Sequence, residues 1–116
     1  MIIGIVGNRT GWTYEFVCRK LKELGVVRSD IIISGGAMGV DTFAQQYAME
    51  IGAEIHIIYP RWNLYGRSAG FIRNELIAIR CEKLIAFNKE ENSGTANTIN
   101  HAKKFGKEVI IISEVK

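Results

Sequence analysis

Three segments of this chain combine glycine with the side-chain types that hold phosphate groups. They are Gly7-Asn8-Arg9-Thr10-Gly11, Ser34-Gly35-Gly36-Ala37-Met38-Gly39-Val40-Asp41 and Ser93-Gly94-Thr95. A fourth, Arg73-Asn74, adds a guanidinium and an amide. Glycine lets the backbone come close to a ligand, and successive free N–H groups at a helix start favour an anion. Gly35, Gly36 and Gly39 are therefore expected to form one phosphate cradle, and Ser93, Gly94 and Thr95 a second. Arg9 and Arg73 would supply positive charge. Asp41, early in the helix after the second loop, is expected to order that loop through its backbone N–H groups.

Other candidates carry less. Arg61 and Arg67 fall on the same expected face. Trp62 and Tyr65 sit in a polar loop, where they would either stack on a base or cover a dimer contact. Trp12 continues an apolar stripe and reads as core. His56 and His101 have no ligand spacing to each other or to Cys18 and Cys81, so neither a metal site nor a cofactor is expected. The glycine patterns are neither the dinucleotide G-x-G-x-x-G nor the phosphate loop of nucleoside triphosphatases.

The elements that must position these loops are legible as periodicities. Ile2–Val6, Ile31–Ile33, Ile55–Tyr59, Leu84–Phe87 and Val109–Ile112 are mostly continuous apolar runs, as strands covered on both faces of a parallel sheet require. Between them lie helical stripes. The first is Trp12, Phe16, Val17, Leu21 and Leu24, and the second is Val40, Phe43, Ala44, Tyr47, Ala48 and Ile51. Ala69, Ile72, Leu76 and Ile79 make the third, and Ile99, Ala102 and Phe105 the fourth. Gly25, Gly52 and Gly106 follow three of them as C-caps. Alternating strands and helices predict an α/β fold: a three-layer α/β/α Rossmann-like sandwich around a five-stranded parallel sheet of order 3-2-1-4-5. The glycine loops then fall at the carboxyl ends of the strands, where such sheets bind ligands.

At 116 residues, 47% hydrophobic and 23% charged, the chain is expected to be a single domain over 1–116 with a real core. The net charge of +3 is mild for a duplex-DNA binder. Two distant cysteines, both in segments read as helical, suggest a reducing compartment. With no basic leader and no long apolar run, a cytoplasmic protein without membrane contact is expected.

Taken together, the loops resemble the SLOG superfamily, shared by Lonely Guy-type phosphoribohydrolases and DNA-processing protein A, and most of all its small stand-alone members of the YspA type. The likeness rests on Gly7-Asn8-Arg9, Ser34 to Asp41, Arg73-Asn74 and Ser93-Gly94-Thr95, and spans nearly the whole chain. It implies a nucleotide or nucleotide-derived ligand bound by Gly7, Asn8, Arg9, Ser34, Gly35, Gly36, Gly39, Asp41, Arg73, Asn74, Ser93, Gly94 and Thr95. Two other activities follow from its branches. Similarity to DNA-processing protein A implies single-stranded DNA binding, although Glu75 stands where that family usually has a basic residue. Similarity to the Lonely Guy enzymes implies hydrolysis of a nucleoside monophosphate at its N-glycosidic bond. Those enzymes need a glutamate where this chain has Thr98, which leaves Arg73 and Glu75 as the candidate catalytic residues. Homodimers are common among such relatives, which makes a homodimer an expectation here too.

Overall fold

The computed structural model describes residues 1–114. Five strands, β1 (Ile2–Gly7), β2 (Ile31–Ser34), β3 (Glu54–Ile57), β4 (Lys83–Phe87) and β5 (Glu108–Ile112), form one sheet in the order β3-β2-β1-β4-β5. Every neighbouring pair is parallel, with Gly4 opposite both Ile33 and Leu84 at the centre of the sheet. The sheet is thus the α/β arrangement that the alternating sequence pattern requires.

The continuous apolar runs are explained by two cores, one on each face. Ile3, Ile5, Ile32, Ile85 and Phe87 point to one side, where they meet α1 (Tyr14–Glu23) and α2 (Val40–Ile51) through Phe16, Leu21, Ala44 and Tyr47. The alternate residues Val6, Ile33, Leu84 and Ala86 point to the other, against α4 (Ala69–Arg80) and α5 (Gly94–Lys104) through Ile77, Ala78, Ile99 and Ala102. A strand whose successive side chains enter two different cores has no polar positions to alternate with.

Several expectations need correction. Of the stripe read from Ala69, Ile72, Leu76 and Ile79, Ala69 is buried but the rest does not form the buried face of α4. Leu76 and Ile79 are exposed, and Asn74, Ile77 and Ala78 are buried instead. Helix α4 has apolar residues on two sides, and small Ala78 together with hydrogen-bonded Asn74 permits the closer approach. β3 is a half-exposed edge strand, and Ile58 and Tyr59 lie beyond its end. The segment after it is helical, a single turn α3 (Trp62–Tyr65) followed by a 3₁₀ turn at Gly66–Ser68. Cys81 caps α4 rather than lying within it, and Trp12 precedes α1, whose N-cap is Thr13. Trp12 is nevertheless core, packed edge-on against Phe16 and Phe87. No helix among the described residues is long and apolar enough to cross a membrane.

Candidate functional site

Because all strands run the same way, the loops after β1, β2 and β4 emerge together beside the central strand. They enclose a cleft with two lobes. The first, about 360 Å³, is polar and lies over the end of β1, between Gly7-Asn8-Arg9-Thr10, Asp41, and Ser93-Gly94-Thr95 with Thr98 behind. The second, about 630 Å³, is more apolar, with Gly35, Gly36, Met38, Tyr59, Trp62, Arg67 and Phe71 in its wall. Arg9, Ala37, Arg73, Asn74 and Gly94 border both lobes and form the waist between them.

The waist is rigidly built. Arg73 donates Nε–H to Asn74 Oδ1 at 2.8 Å and a second N–H to the Gly35 carbonyl. Asn74, itself buried, then donates to the Gly94 carbonyl (3.2 Å) and to Asn97 Oδ1 (3.1 Å). A single chain of hydrogen bonds therefore runs from the β2 loop through α4 to the start of α5. Burial lowers the Arg73 pKa, and neighbouring Arg9 acts in the same sense against the opposing pull of Asp41. Arg73 thus has protein partners of its own, beyond the ligand that its position suggested.

Asp41 is the buried acid of the polar lobe. Its Oδ2 accepts from the Ala37 N–H at 3.1 Å, so it does order the glycine loop. Its Oδ1 has no hydrogen-bond partner among the described residues. Burial raises its pKa to about 6, against the lowering effects of the Ala37 N–H and of Arg73.

The loops themselves are fastened by amides. Asn8 Oδ1 accepts from the Lys89 N–H (2.8 Å), and its Nδ2 donates to Asn88 Oδ1 (2.9 Å). Asn88 Oδ1 also accepts from Ser93 Oγ, tying β1, β4 and the α5 start together. Ser93 caps α5 through the Ala96 N–H, while Gly94 and Thr95 occupy the first helical positions, whose N–H groups have no acceptor within the helix.

Of the expected ligand residues, Gly7, Asn8, Arg9, Asp41, Arg73, Asn74, Ser93, Gly94 and Thr95 come together in the polar lobe, and Gly35 and Gly36 in the apolar one. Two expected ligand residues border neither lobe. Ser34 is fully buried and donates to the Ile5 carbonyl. Gly39, at φ 78°, is needed because a Cβ there would sit 2.6 Å from the Asn8 carbonyl oxygen, so its lack of a side chain admits the β1 loop. Glu75, a candidate catalytic residue, also lies outside the cleft and faces His101 on α5 at 3.8 Å. Trp62 and Arg67 do line the apolar lobe, whereas Arg61 and Tyr65 border a separate hollow over the outer face of α4. Tyr59 and Phe71 were not anticipated. Their only signal was an aromatic just beyond a strand and one out of phase with its helix stripe. Among the described residues, no group of three or more His, Cys, Asp or Glu is placed to hold a metal.

A parallel sandwich of this order, with glycine loops meeting an Arg-Asn pair above the central strand, is a SLOG-type domain. More narrowly, the chain belongs to the DNA recombination-mediator protein A family, whose model matches residues 1–66. That match covers the first two glycine loops and ends before Arg73. No curated protein matches the chain. Among solved structures, DNA processing protein A from Streptococcus pneumoniae superposes with a TM-score of 0.81 at 21% identity, over 97% of this chain and 50% of its own. DNA processing protein A from Helicobacter pylori, described for its single-stranded DNA binding mode, gives 0.74 at 20% identity, over 99% of this chain and 66% of its own. The protein TM1055 gives 0.69 at 20% identity, over 93% of this chain and 71% of its own. The chain thus spans about half the length of the first of these proteins.

Proposed function

We propose that the cleft binds a nucleotide or nucleotide-derived ligand, with phosphate at the waist and a base against the aromatic wall. The observation that carries this reading is that Arg9, Arg73 and the start of α5 border both lobes at once. Two guanidinium groups and a helix N-terminus form an anion site. Tyr59, Trp62 and Phe71 beside it offer exposed faces for a heteroaromatic ring.

A second reading makes that nucleotide one unit of a single DNA strand. The family match and the Helicobacter pylori relative favour it, as does exposed Arg67 at the open rim of the apolar lobe. A thermal-shift panel of nucleotides, run beside fluorescence anisotropy with labelled oligonucleotides, separates the two. Shifts from small nucleotides support the first reading. Salt-sensitive oligonucleotide binding with no such shift supports the second.

Hydrolysis of a nucleoside monophosphate is the least supported activity. Thr98 is buried and donates to the Gly94 carbonyl, and Glu75 lies outside the cleft. A hydroxyl cannot replace a carboxylate as acid, base or charge stabiliser near neutral pH. Incubation with AMP is therefore expected to release no free base by chromatography, and robust turnover would reverse that conclusion.

A further inference from the structure

We propose that the outer face of α4 is a docking surface for another protein, and that its occupant is a short amphipathic helix, aliphatic on one side and acidic on the other. Such docking does not depend on nucleotide binding in the cleft.

Helix α4 is apolar on two sides. Ile77 and Ala78 enter the core, while Ile72, Leu76 and Ile79, at i, i+4 and i+7, form a second stripe. The described chain leaves that stripe open, with Leu76 39% and Ile79 47% exposed. The turn before the helix extends it, since no residue of α3 is buried and Leu64 and Tyr65 are both exposed. Single exposed apolar groups need no partner, but a contiguous stripe beside a hollow marks an interaction site. The hollow here is about 420 Å³, bordered by Tyr65, Ile72 and Leu76 and, across from them, by Ile57 and Ile58. One side of it follows α4 from Ala69 to Arg80, a ridge about 16 Å long against which a second helix can pack.

Charge selects the occupant. The ionised residues on the wall of the hollow are Arg61, Arg73 and Arg80, with no carboxylate beside them. Arg73 is held by Asn74 and the Gly35 carbonyl. Arg61 and Arg80 are exposed and take part in no ion pair among the described residues. Carboxylates from a partner would meet two unneutralised guanidinium groups around an aliphatic floor. A second copy of this chain fits less well, because a two-fold contact sets the same arginine-bearing wall against itself. A nucleic-acid strand also fits less well, since the stripe of Ile72, Leu76 and Ile79 offers neither a flat face to a base nor charge to a phosphate. A strand added to the free edge of β3 would run past exposed Glu54, which repels an acidic segment. The helical form is the one expected.

The test is selection of a displayed library of random peptides, about 16 residues long, on the whole protein, with Leu76→Asp as the counter-selecting surface. Enriched peptides are expected to carry Leu, Ile or Phe at i, i+3, i+4 and i+7, with Asp or Glu between them. The tightest of them, labelled and followed by anisotropy, should weaken about ten-fold or more when its acids are changed to amides. The double variant Arg61→Glu, Arg80→Glu should weaken it likewise, and should accept instead the same peptide with lysine for its acids. Ile79→Ser should weaken it with no change of charge. All these substitutions lie at exposed positions, and an unchanged unfolding midpoint shows that each variant is folded. Enriched peptides without acids, or affinities within about three-fold of each other for acid and amide forms, would overturn the acidic partner. Sedimentation showing a dimer that Leu76→Asp dissociates would overturn it in favour of a second copy. An oligonucleotide that displaces the peptide, and no longer binds the arginine double variant, would overturn it in favour of a strand. No enrichment over Leu76→Asp would remove the docking surface altogether.

Discussion

At the scale of single residues, the cleft depends on a buried acid beside a half-buried base. The Asp41 carboxyl ionises at about 6 in the fold against an ordinary 3.8, chiefly because burial disfavours its charge. A folded-state pKa above the unfolded one means that the native state binds more protons between these values. Stability is then highest below about pH 4 for this group and falls as pH rises toward 6. A rise of that size is worth at most about 3 kcal/mol. Urea denaturation of the wild type and of Asp41→Asn at several pH values checks this, because the difference between them removes the other carboxylates. The wild type is expected to lose ground to the variant as pH rises from 4 to 7, and a flat difference would contradict it. Arg73 yields a second prediction. Its fork reaches the Gly35 carbonyl and Asn74 together, a geometry that a lysine ammonium cannot copy. Arg73→Lys should therefore weaken nucleotide binding about ten-fold even though the charge is kept, as calorimetry would show. Neither Asp41's partnerless oxygen nor Arg73's bond to the Gly35 carbonyl was legible in the sequence, since both depend on how closely two loops approach.

At the scale of elements, the alternation of apolar runs with helical stripes was enough to place every strand and the order of the sheet, because a βαβ chain has few alternatives. What the sequence obscured was rotation about a helix axis. Helix α4 carries Ile72, Leu76 and Ile79 on one side and Ile77 and Ala78 on the other, so hydrophobicity alone does not choose its inner face. The choice is made by Asn74, which must turn inward to reach Gly94 and Asn97. That clamp makes the position testable. Asn74→Ala leaves the Gly94 carbonyl and the Arg73 Nε–H without their partner, and a loss of about 1 to 3 kcal/mol in chemical denaturation is expected. Glycines behave in two ways that a sequence does not separate. Gly39 and Gly106 both have positive φ, but a Cβ at Gly39 meets the Asn8 carbonyl, whereas nothing lies within 4 Å of one at Gly106. Gly106→Ala should cost about 1 kcal/mol, the strain of a left-handed cap alone. Gly39→Ala should cost about 3 kcal/mol or more, because strain and collision add and the loop after β1 has to move.

At the scale of the whole molecule, the position of the arginines matters more than the net charge of +3. Arg9, Arg67 and Arg73 border the cleft, while Arg61 borders the hollow over the outer face of α4. This placement limits how strongly any nucleic acid can be held through its phosphates. For a single strand the logarithm of affinity falls with the logarithm of salt at about 0.7 per neutralised phosphate. Three cleft arginines would give a slope near 2, and so a loss of about 20-fold between 50 and 200 mM salt. Arg67→Ala should reduce that slope by about 0.7, and Arg61→Ala should leave it unchanged. A small nucleotide behaves otherwise, since much of its affinity comes from its base, which salt does not screen. Its affinity should change only a few-fold over the same range, with Arg67 mattering less than Arg9 and Arg73. Measuring oligonucleotide and nucleotide affinities side by side across this salt range decides which ligand the cleft was shaped for. A slope near 4 for the oligonucleotide would mean that phosphates also run over Arg61 and the outer face of α4, and that the cleft is only part of a longer track.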